Sequence, residues 1–141
     1  MRKIRLGKTE LMVSSTAMGC LPVQRCDEEY AVKLLQAAYD GGINYFDTAN
    51  AYTDSEKKIG LALSDVRDKI IISTKSAAKD RDGVLSHIEN SLRADNLGRG
   101  RNQRGVSDVG TDARHLLQHG GELGELVLHL GLLLIGNGKA V

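Results

Sequence analysis

Three polar residues of complementary chemistry stand in the first part of the chain: Asp47, Tyr52 and Lys75. A free phenol has a pKa of about 10, so it is a weak proton donor at neutral pH. A nearby ammonium group stabilises the phenolate and lowers that pKa, and a carboxylate paired with the ammonium keeps it charged and in place. Such a trio suits protonation of a carbonyl oxygen while a hydride reaches the carbonyl carbon.

The trio depends on elements that bring the three side chains together. Asp47 ends a predicted strand, Tyr52 lies in the loop that follows it, and Lys75 comes directly after a second predicted strand. In a parallel βα barrel the carboxyl ends of the strands meet on one face, where active sites lie. The three side chains could meet there. The alternative is that Asp47 caps a loop, Tyr52 packs at a rim and Lys75 is solvated.

The hydrophobic pattern of residues 1–92 predicts alternating strands and helices. Residues 4–15 predict a short hairpin, and residues 16–18, 43–47 and 70–74 predict strands. Helices are predicted after the candidate N-cap Asp27, over about residues 55–63, and from about Asp82. The helix positions expected to face the core are Ala31, Leu34, Leu35, Ala38, Ile59, Leu63, Leu85, Ile88 and Leu92. This alternation is typical of parallel βα units.

The composition changes near residue 93. Ten of the 16 glycines follow that point, all the aromatic residues precede residue 53, and three of the four histidines lie in the tail. Residues 94–105 have neither the helical nor the strand period and predict a loop. Residues 113–134 are rich in leucine but interrupted by glycine, which predicts poorly specified helix or disorder. We therefore divide the chain into residues 1–92 and a divergent Gly/Leu-rich tail of residues 93–141.

The bulk properties narrow the class of protein. With Lys+Arg 19 against Asp+Glu 18 the net charge is +1, which gives no reason to expect nucleic acid or an anionic membrane as a partner. No apolar run approaches the ~20 residues that span a bilayer, and the N-terminus lacks the apolar core of a secretory signal. Cys20 and Cys26 form no metal-ligand spacing. A cytoplasmic protein without a metal is the expectation.

The order of motifs resembles the N-terminal part of the aldo-keto reductase family over about residues 3–92. The hairpin and first strand are carried by Leu6-Gly7-Lys8-Thr9, Val13-Ser14-Ser15 and Met18-Gly19-Cys20. The first helix and second strand are carried by Asp27-Glu28-Glu29 and by the run from Ala38 to Ala49. Tyr52, Ser55-Glu56, Ile59-Gly60 and Ala62-Leu63 continue the resemblance, and Ile72-Ser73-Thr74-Lys75 matches the third strand with its lysine.

The resemblance implies a fold and an activity. The fold class is α/β, a partial (β/α)8 barrel with an N-terminal hairpin and about three βα units, followed by an irregular or helical tail. The implied activity is reduction of a small-molecule aldehyde or ketone by NADPH, with NADH as the other possibility. Tyr52 would be the general acid, Lys75 would adjust its acidity and Asp47 would pair with the lysine. Gly19 and Thr48 fall near cofactor-binding positions.

The chain departs from the family after residue 92. The family's fourth catalytic residue is a histidine at the end of the next strand, and the nearest echo is His119 within the segment 111–119. That segment comes late, is one residue short and lacks the aromatic positions, so chance similarity is the competing explanation. Glycine-rich segments such as 98–100 and 136–138 follow no convincing strand and do not qualify as dinucleotide loops.

The two parts together lead to one hypothesis and two alternatives. The hypothesis is a reductase ancestry in a truncated, frame-shifted or degenerate chain that is inactive alone. One alternative is a non-catalytic scaffold or interaction protein that retains a half-barrel. The other is a homo-oligomer in which copies complete the barrel, since an open three-stranded sheet leaves an unpaired edge and an uncovered apolar face.

Overall fold

A computed structural model describes residues 1–95 and 132–135 of the chain. The strands are β1 (Lys3–Arg5), β2 (Met12–Ser14), β3 (Met18–Gly19), β4 (Tyr45–Asp47), β5 (Ile71–Thr74) and β6 (Leu132–Ile135). The helices are α1 (Glu28–Asp40), α2 (Ser55–Leu63) and α3 (Arg81–Asp95), with short 3-10 helices at Pro22–Arg25 and Ser64–Lys69. The predicted tail segments 96–131 and 136–141 lie outside the described residues.

The N-terminal hairpin is joined to the rest of the fold through Asn44. Strands β1 and β2 pair antiparallel, with Ile4 opposite Val13. The buried Asn44 side chain accepts a hydrogen bond from the Ser14 amide (2.6 Å) and donates one to the Met12 carbonyl (3.0 Å). The Asn44 amide also donates to the Ser14 hydroxyl (3.1 Å), and its carbonyl accepts from the Ile71 amide (2.7 Å). One residue thus connects the hairpin to the start of both β4 and β5.

The second sheet has the strand order β3-β4-β5-β6, and its first three strands are parallel. Met18 lies opposite Phe46, which lies opposite Ile72; Gly19, Asp47 and Ser73 form the next row. All four residues of β5 are buried, as the continuous apolar run predicts. Each parallel pair is connected through a helix, so the described part contains the βαβ units that a partial (β/α)8 barrel is built from.

The structure differs from the sequence expectation at β6. Residues 132–134 fall in the leucine-rich stretch that was expected to be helical or disordered, yet Leu132–Ile135 pairs antiparallel with β5. The predicted open edge of β5 is therefore occupied. Four consecutive apolar residues satisfy a short strand as readily as a helical turn, and periodicity alone does not separate the two.

The three helices pack together beside the parallel strands and enclose one core. Asp27 caps α1 by accepting a hydrogen bond from the Tyr30 amide (2.7 Å), as predicted. The buried core residues are Cys20, Val23, Ala31, Leu35, Phe46, Ile59, Leu63, Ile70, Ile72, Val84, Ile88 and Leu92. In α3, Ile88 and Leu92 are buried as predicted, but the prediction for Leu85 was wrong: it is half-buried, and Val84 is buried in its place.

The predicted strand at residues 16–18 was also misplaced. Thr16 and Ala17 are exposed, and the strand begins at Met18. The Thr16 carbonyl instead accepts a hydrogen bond from the Ser14 hydroxyl (2.7 Å). A local bond from a serine side chain to the main chain competes with a sheet ladder. Strand β3 is consequently short, and its last residue, Gly19, lies exposed beside Asp47.

Candidate active site

The candidate site lies where the parallel strands end. Beyond the last paired row the main chain continues its ladder, because the Asp47 carbonyl accepts from the Cys20 amide (2.8 Å) and the Thr48 amide donates to the Ser73 carbonyl (2.7 Å). The Asn50 amide then donates to the Lys75 carbonyl (3.0 Å). These bonds fix the directions in which the chain leaves β4 and β5, and therefore the starting points of the side chains at 47 and 75.

Lys75 and Asp47 form an ion pair across the two strand ends. The Lys75 ammonium donates to Asp47 Oδ2 (2.6 Å) and to the Thr48 carbonyl (2.8 Å). The Lys75 and Asp47 side chains are 43% and 38% exposed. The pair is thus reachable from solvent while two acceptors hold the ammonium. A charge-assisted bond of this length is among the stronger hydrogen bonds in proteins.

Tyr52 lies in the loop between β4 and α2, and the ammonium lies over its ring. The distance from Lys75 Nζ to the Tyr52 ring centroid is 5.7 Å, which is within the range of a cation–π contact. The Tyr52 amide donates to the Ala49 carbonyl (2.9 Å), and its carbonyl accepts from the Ser55 amide (2.8 Å). These two turns fold the loop back toward the strand ends. Asp47, Tyr52 and Lys75 are therefore brought together.

Buried hydrogen bonds hold the beginning of α2 against the strands. The Thr48 hydroxyl donates to Ser55 Oγ (3.1 Å), and the Ser55 hydroxyl donates to the Cys20 carbonyl (3.0 Å). The Thr74 hydroxyl donates to Glu56 Oε1 (2.6 Å). From the sequence alone, Ser55 and Glu56 had no role of their own. In the sequence they are two polar residues at the first turn of a predicted helix, where polar residues ordinarily cap the helix.

Gly19 and Thr48, the two positions expected near a cofactor, stand differently in the structure. Gly19 is exposed beside Asp47, and a Cβ atom built on it would meet nothing within 4 Å. Thr48 is buried, and its hydroxyl bonds to Ser55 while its carbonyl faces Lys75. Open space for a ligand thus exists at Gly19 but not at the Thr48 hydroxyl. His119 lies outside the described residues.

A buried lysine, Lys58, holds the loop between β4 and α2 that carries Tyr52. Lys58 is 4% exposed, and its ammonium bonds to the carbonyls of Val23 (3.2 Å) and Cys26 (2.7 Å) and to Asp54 Oδ2 (2.9 Å). The hydrogen bond from Lys58 holds the pKa of the Asp54 carboxyl below its usual value, against an opposing effect of burial. Residue 58 therefore joins α2, the loop that carries Tyr52 and the 3-10 helix at Pro22–Arg25.

Comparison with known proteins identifies the family. The sequence profile described as "Aldo/keto reductase family" matches residues 13–100, which is more than half of the chain. The chain belongs to the aldo/keto reductase family. The same motifs that suggested the resemblance at residues 3–92 fall almost entirely within this match. This is a family of oxidoreductases, and the matched residues include Asp47, Tyr52 and Lys75.

Curated relatives are similar to part of the chain. Aldo-keto reductase AMT2 of Alternaria alternata is 40% identical over 83 residues, covering 50% of this chain and 23% of the relative. The uncharacterized oxidoreductase YqkF of Bacillus subtilis is 35% identical over 85 residues, covering 59% of this chain and 28% of the relative. The chain thus spans about a quarter of the length of these two curated relatives.

Solved structures of the family extend the match to the fold. The holo form of aldo-keto reductase AKR11C1 from Bacillus halodurans superposes with a TM-score of 0.62 at 25% identity. The match covers 91% of this aldo/keto reductase chain and 48% of the solved one.

Within the described residues, no helix combines the length and the apolar character needed to cross a membrane.

Proposed function

We propose that the chain takes part in the NAD(P)H-dependent reduction of an aldehyde or ketone to an alcohol, with Tyr52 as the general acid. The observation that carries the proposal is the Lys75 ammonium, bonded to Asp47 at 2.6 Å and lying 5.7 Å from the centre of the Tyr52 ring. A carboxylate, an ammonium and a phenol at neighbouring strand ends match the chemistry of carbonyl protonation.

The reaction balances with one proton and one hydride. The hydride adds to the carbonyl carbon, the electron pair of the C=O π bond moves to oxygen, and that oxygen takes the phenol proton of Tyr52. The ammonium of Lys75 lowers the cost of leaving a phenolate behind, because an opposite charge stabilises the ionised form. Asp47 and the Thr48 carbonyl hold the ammonium in place for that purpose.

The described residues fit a nicotinamide cofactor in one respect. Gly19 is exposed beside the ion pair and leaves open space where a side chain would stand. When bound, NADPH, or NADH as the second possibility, supplies the hydride and is oxidised. Gly19 would lie along the cofactor. Thr48 would act indirectly, because its carbonyl accepts a hydrogen bond from the Lys75 ammonium and so helps to hold it in the site. A cytoplasmic location is part of the same proposal.

Turnover by the isolated chain is expected to be slow. A (β/α)8 barrel draws its active-site residues from several strands around a closed ring, whereas the described site is built from the ends of three parallel strands. The residues at these three strand ends would therefore supply one wall of the pocket for the small-molecule carbonyl substrate. The sequence alone led us to expect an inactive chain; the ion pair assembled beside Tyr52 leads us instead to expect low activity that depends on Tyr52.

The test is aldehyde-dependent oxidation of NADPH by the purified chain, with benzaldehyde as the substrate. Tyr52→Phe keeps the ring and removes the acid, and a lost general acid costs about 10²–10⁴-fold in rate. Thermal unfolding should be unchanged, because the Tyr52 hydroxyl makes no hydrogen bond among residues 1–95. Activity that is equal in Tyr52→Phe, or no NADPH binding and no oxidation, would overturn the proposal and favour a non-catalytic scaffold.

A further inference from the structure

The segment behind Lys75 contains a second polar pair that the mechanism above does not use. Ser76 follows Lys75 directly, and its Oγ lies 2.8 Å from His87 Nδ1 on α3. The same oxygen accepts a hydrogen bond from the Ala78 amide (3.1 Å). These contacts are all satisfied when His87 carries its proton on Nε2. The Ala78 N–H then donates to Ser76 Oγ, and the Ser76 hydroxyl donates to His87 Nδ1.

Ser76 and His87 are both half-buried. Ser76 and His87 line a crevice with Thr74, Lys75, Ile88 and Ser91, and its free volume is ≈ 10 Å³. A single water molecule needs about that much space. The loop is also tied to the first turn of α3, where Asp80 Oδ1 accepts from the Gly83 amide (2.8 Å). Movement of the chain at residue 76 is therefore restricted from the side of α3.

We propose that the Ser76–His87 pair is a positioning pair, which fixes the direction in which the chain leaves β5 and thereby holds the Lys75 ammonium on Asp47. Strand β5 ends at Thr74, so Lys75 is the first residue after the strand. Its carbonyl is held by the Asn50 amide from one side, and Ser76 is held by His87 from the other. Holding a long side chain in one rotamer costs conformational entropy, so a main chain fixed at residue 75 helps to keep the ammonium on the two acceptors that it reaches there.

As a positioning residue, His87 would affect the reaction rate although its ring does not touch the reacting groups. A displacement of about 1 Å in a catalytic group can cost about 10²-fold in rate. Loss of the pair should therefore lower kcat and leave the KM for NADPH nearly unchanged. This kinetic consequence rests on the proposed function, whereas the geometric consequence for Lys75 does not.

The experiment measures the position of the Lys75 amine directly. The native chain is treated with a trace of acetic anhydride, and acetylation of each lysine is quantified by mass spectrometry of its peptides. We expect the acetylation rate at Lys75 to rise several-fold in His87→Ala and in Ser76→Ala, because an ammonium released from its acceptors is more available to the reagent. The rate at Lys57, which is remote from the pair in sequence and held by Glu28, should not change.

A conservative variant separates positioning from general stability. Asn at position 87 can place an amide atom close to the place of Nδ1, so His87→Asn should restore the low acetylation rate at Lys75. The double variant Ser76→Ala/His87→Ala should behave like Ser76→Ala alone, because Ser76→Ala already removes the bond to His87. Unchanged acetylation at Lys75 in the folded single variants, or failure of His87→Asn to restore it, would overturn the proposal.

The kinetic assay keeps the two proposals apart. If the unmodified chain proves inactive while the Lys75 acetylation responds as described, the positioning role holds and the reductase proposal fails. If the chain is active, kcat should fall by roughly 10- to 100-fold in His87→Ala and recover in His87→Asn. Full activity in His87→Ala together with unchanged acetylation would overturn the positioning role alone.

Discussion

At the scale of single residues, Lys58 combines burial, charge and complete hydrogen bonding. Its ammonium has three acceptors, one of which is the Asp54 carboxylate and two of which are main-chain carbonyls. Lys58→Met should lower the free energy of unfolding by about 2 kcal/mol, because it leaves the Val23 carbonyl, at a buried bond, and the partly buried Cys26 carbonyl without their donor. Urea denaturation of the variant and of the unaltered chain measures this difference.

Lys57→Met is the matched control for that experiment. Lys57 is the adjacent residue, its side chain is 52% exposed, and it bonds to Glu28 at 2.8 Å on the surface. A surface ion pair contributes about 0.2–1 kcal/mol, so its removal should have a small effect. Equal losses of stability in the two variants would contradict the structural role assigned to Lys58.

The same contact makes stability depend on pH through Asp54. Its pKa is lowered in the folded state by the hydrogen bond from Lys58, relative to an ordinary value of 3.8. A carboxylate with a lowered pKa stabilises the fold above its unfolded-state pKa, and this contribution is lost as the pH falls through the folded-state pKa. The unfolding free energy should therefore fall more between about pH 5 and about pH 3 than it does in Asp54→Asn. Identical pH profiles for the two proteins would refute this linkage.

The sequence predicted the central residues of the site but not their supports. Asp47 and Lys75 each follow a strand, and the geometry of parallel sheets brings such positions together whatever the details of the loops. Lys58 and His87 gave no such signal. Each lies on a helix, where a charged or polar residue ordinarily indicates a solvated position. Their partners are main-chain carbonyls of a 3-10 helix and a serine 11 residues away, which only the folded chain brings near.

At the scale of secondary-structure elements, the first turn of α3 meets the preceding loop at very short range. A Cβ atom built on Gly83 would lie 2.9 Å from the Cβ of Ala78, which is closer than two carbon atoms pack. Although alanine favours helix by about 1 kcal/mol over glycine, Gly83→Ala should therefore destabilise the chain. The expected loss is about 1 kcal/mol, measured by thermal or urea unfolding.

A change at Ala78 supplies the control for Gly83→Ala. Ala78→Gly removes the methyl group that the new side chain would meet, so the double variant Ala78→Gly/Gly83→Ala should be less destabilised by the change at 83. An additive outcome, with Gly83→Ala equally harmful in both backgrounds, would show that the strain lies elsewhere, for instance against Asp80, whose Oδ1 lies 3.3 Å from the same Cβ position.

The elements were predictable to the extent that one local signal decided them. The cap at Asp27 and the glycine pair after α1 predicted that helix within a residue at its start. Strand β3 was misplaced because a side-chain bond from Ser14 occupies the Thr16 carbonyl. Strand β6 was missed because its only feature is four apolar residues, and its pairing with β5 is a contact across 57 or more residues of sequence.

At the scale of the whole molecule, the outer edge of β3 has no strand partner among residues 1–95 and 132–135. Unpaired strand edges promote pairing with other chains. We therefore expect the mass measured by light scattering to increase with protein concentration. Ala17→Lys places a charge at the exposed position just before β3 and should reduce this association.

The control for self-association is a lysine introduced elsewhere. Ala37 is exposed on α1, and Ala37→Lys adds the same charge away from the strand edge. Association should be unaffected by that change. A constant monomeric mass at every concentration, or an equal effect of the two lysines, would count against pairing through β3.

Asn44 has a consequence for any shortened form of this protein. The first fourteen residues contribute no group to the ion pair at the strand ends, and they could be mistaken for a dispensable leader. Their removal would leave both side-chain amide atoms of Asn44 and its main-chain N–H without the partners they have in Ser14 and Met12. Because Asn44 directly precedes Tyr45 and bonds to Ile71, such a deletion would loosen β4 and β5 at the end opposite to the one that carries Asp47 and Lys75.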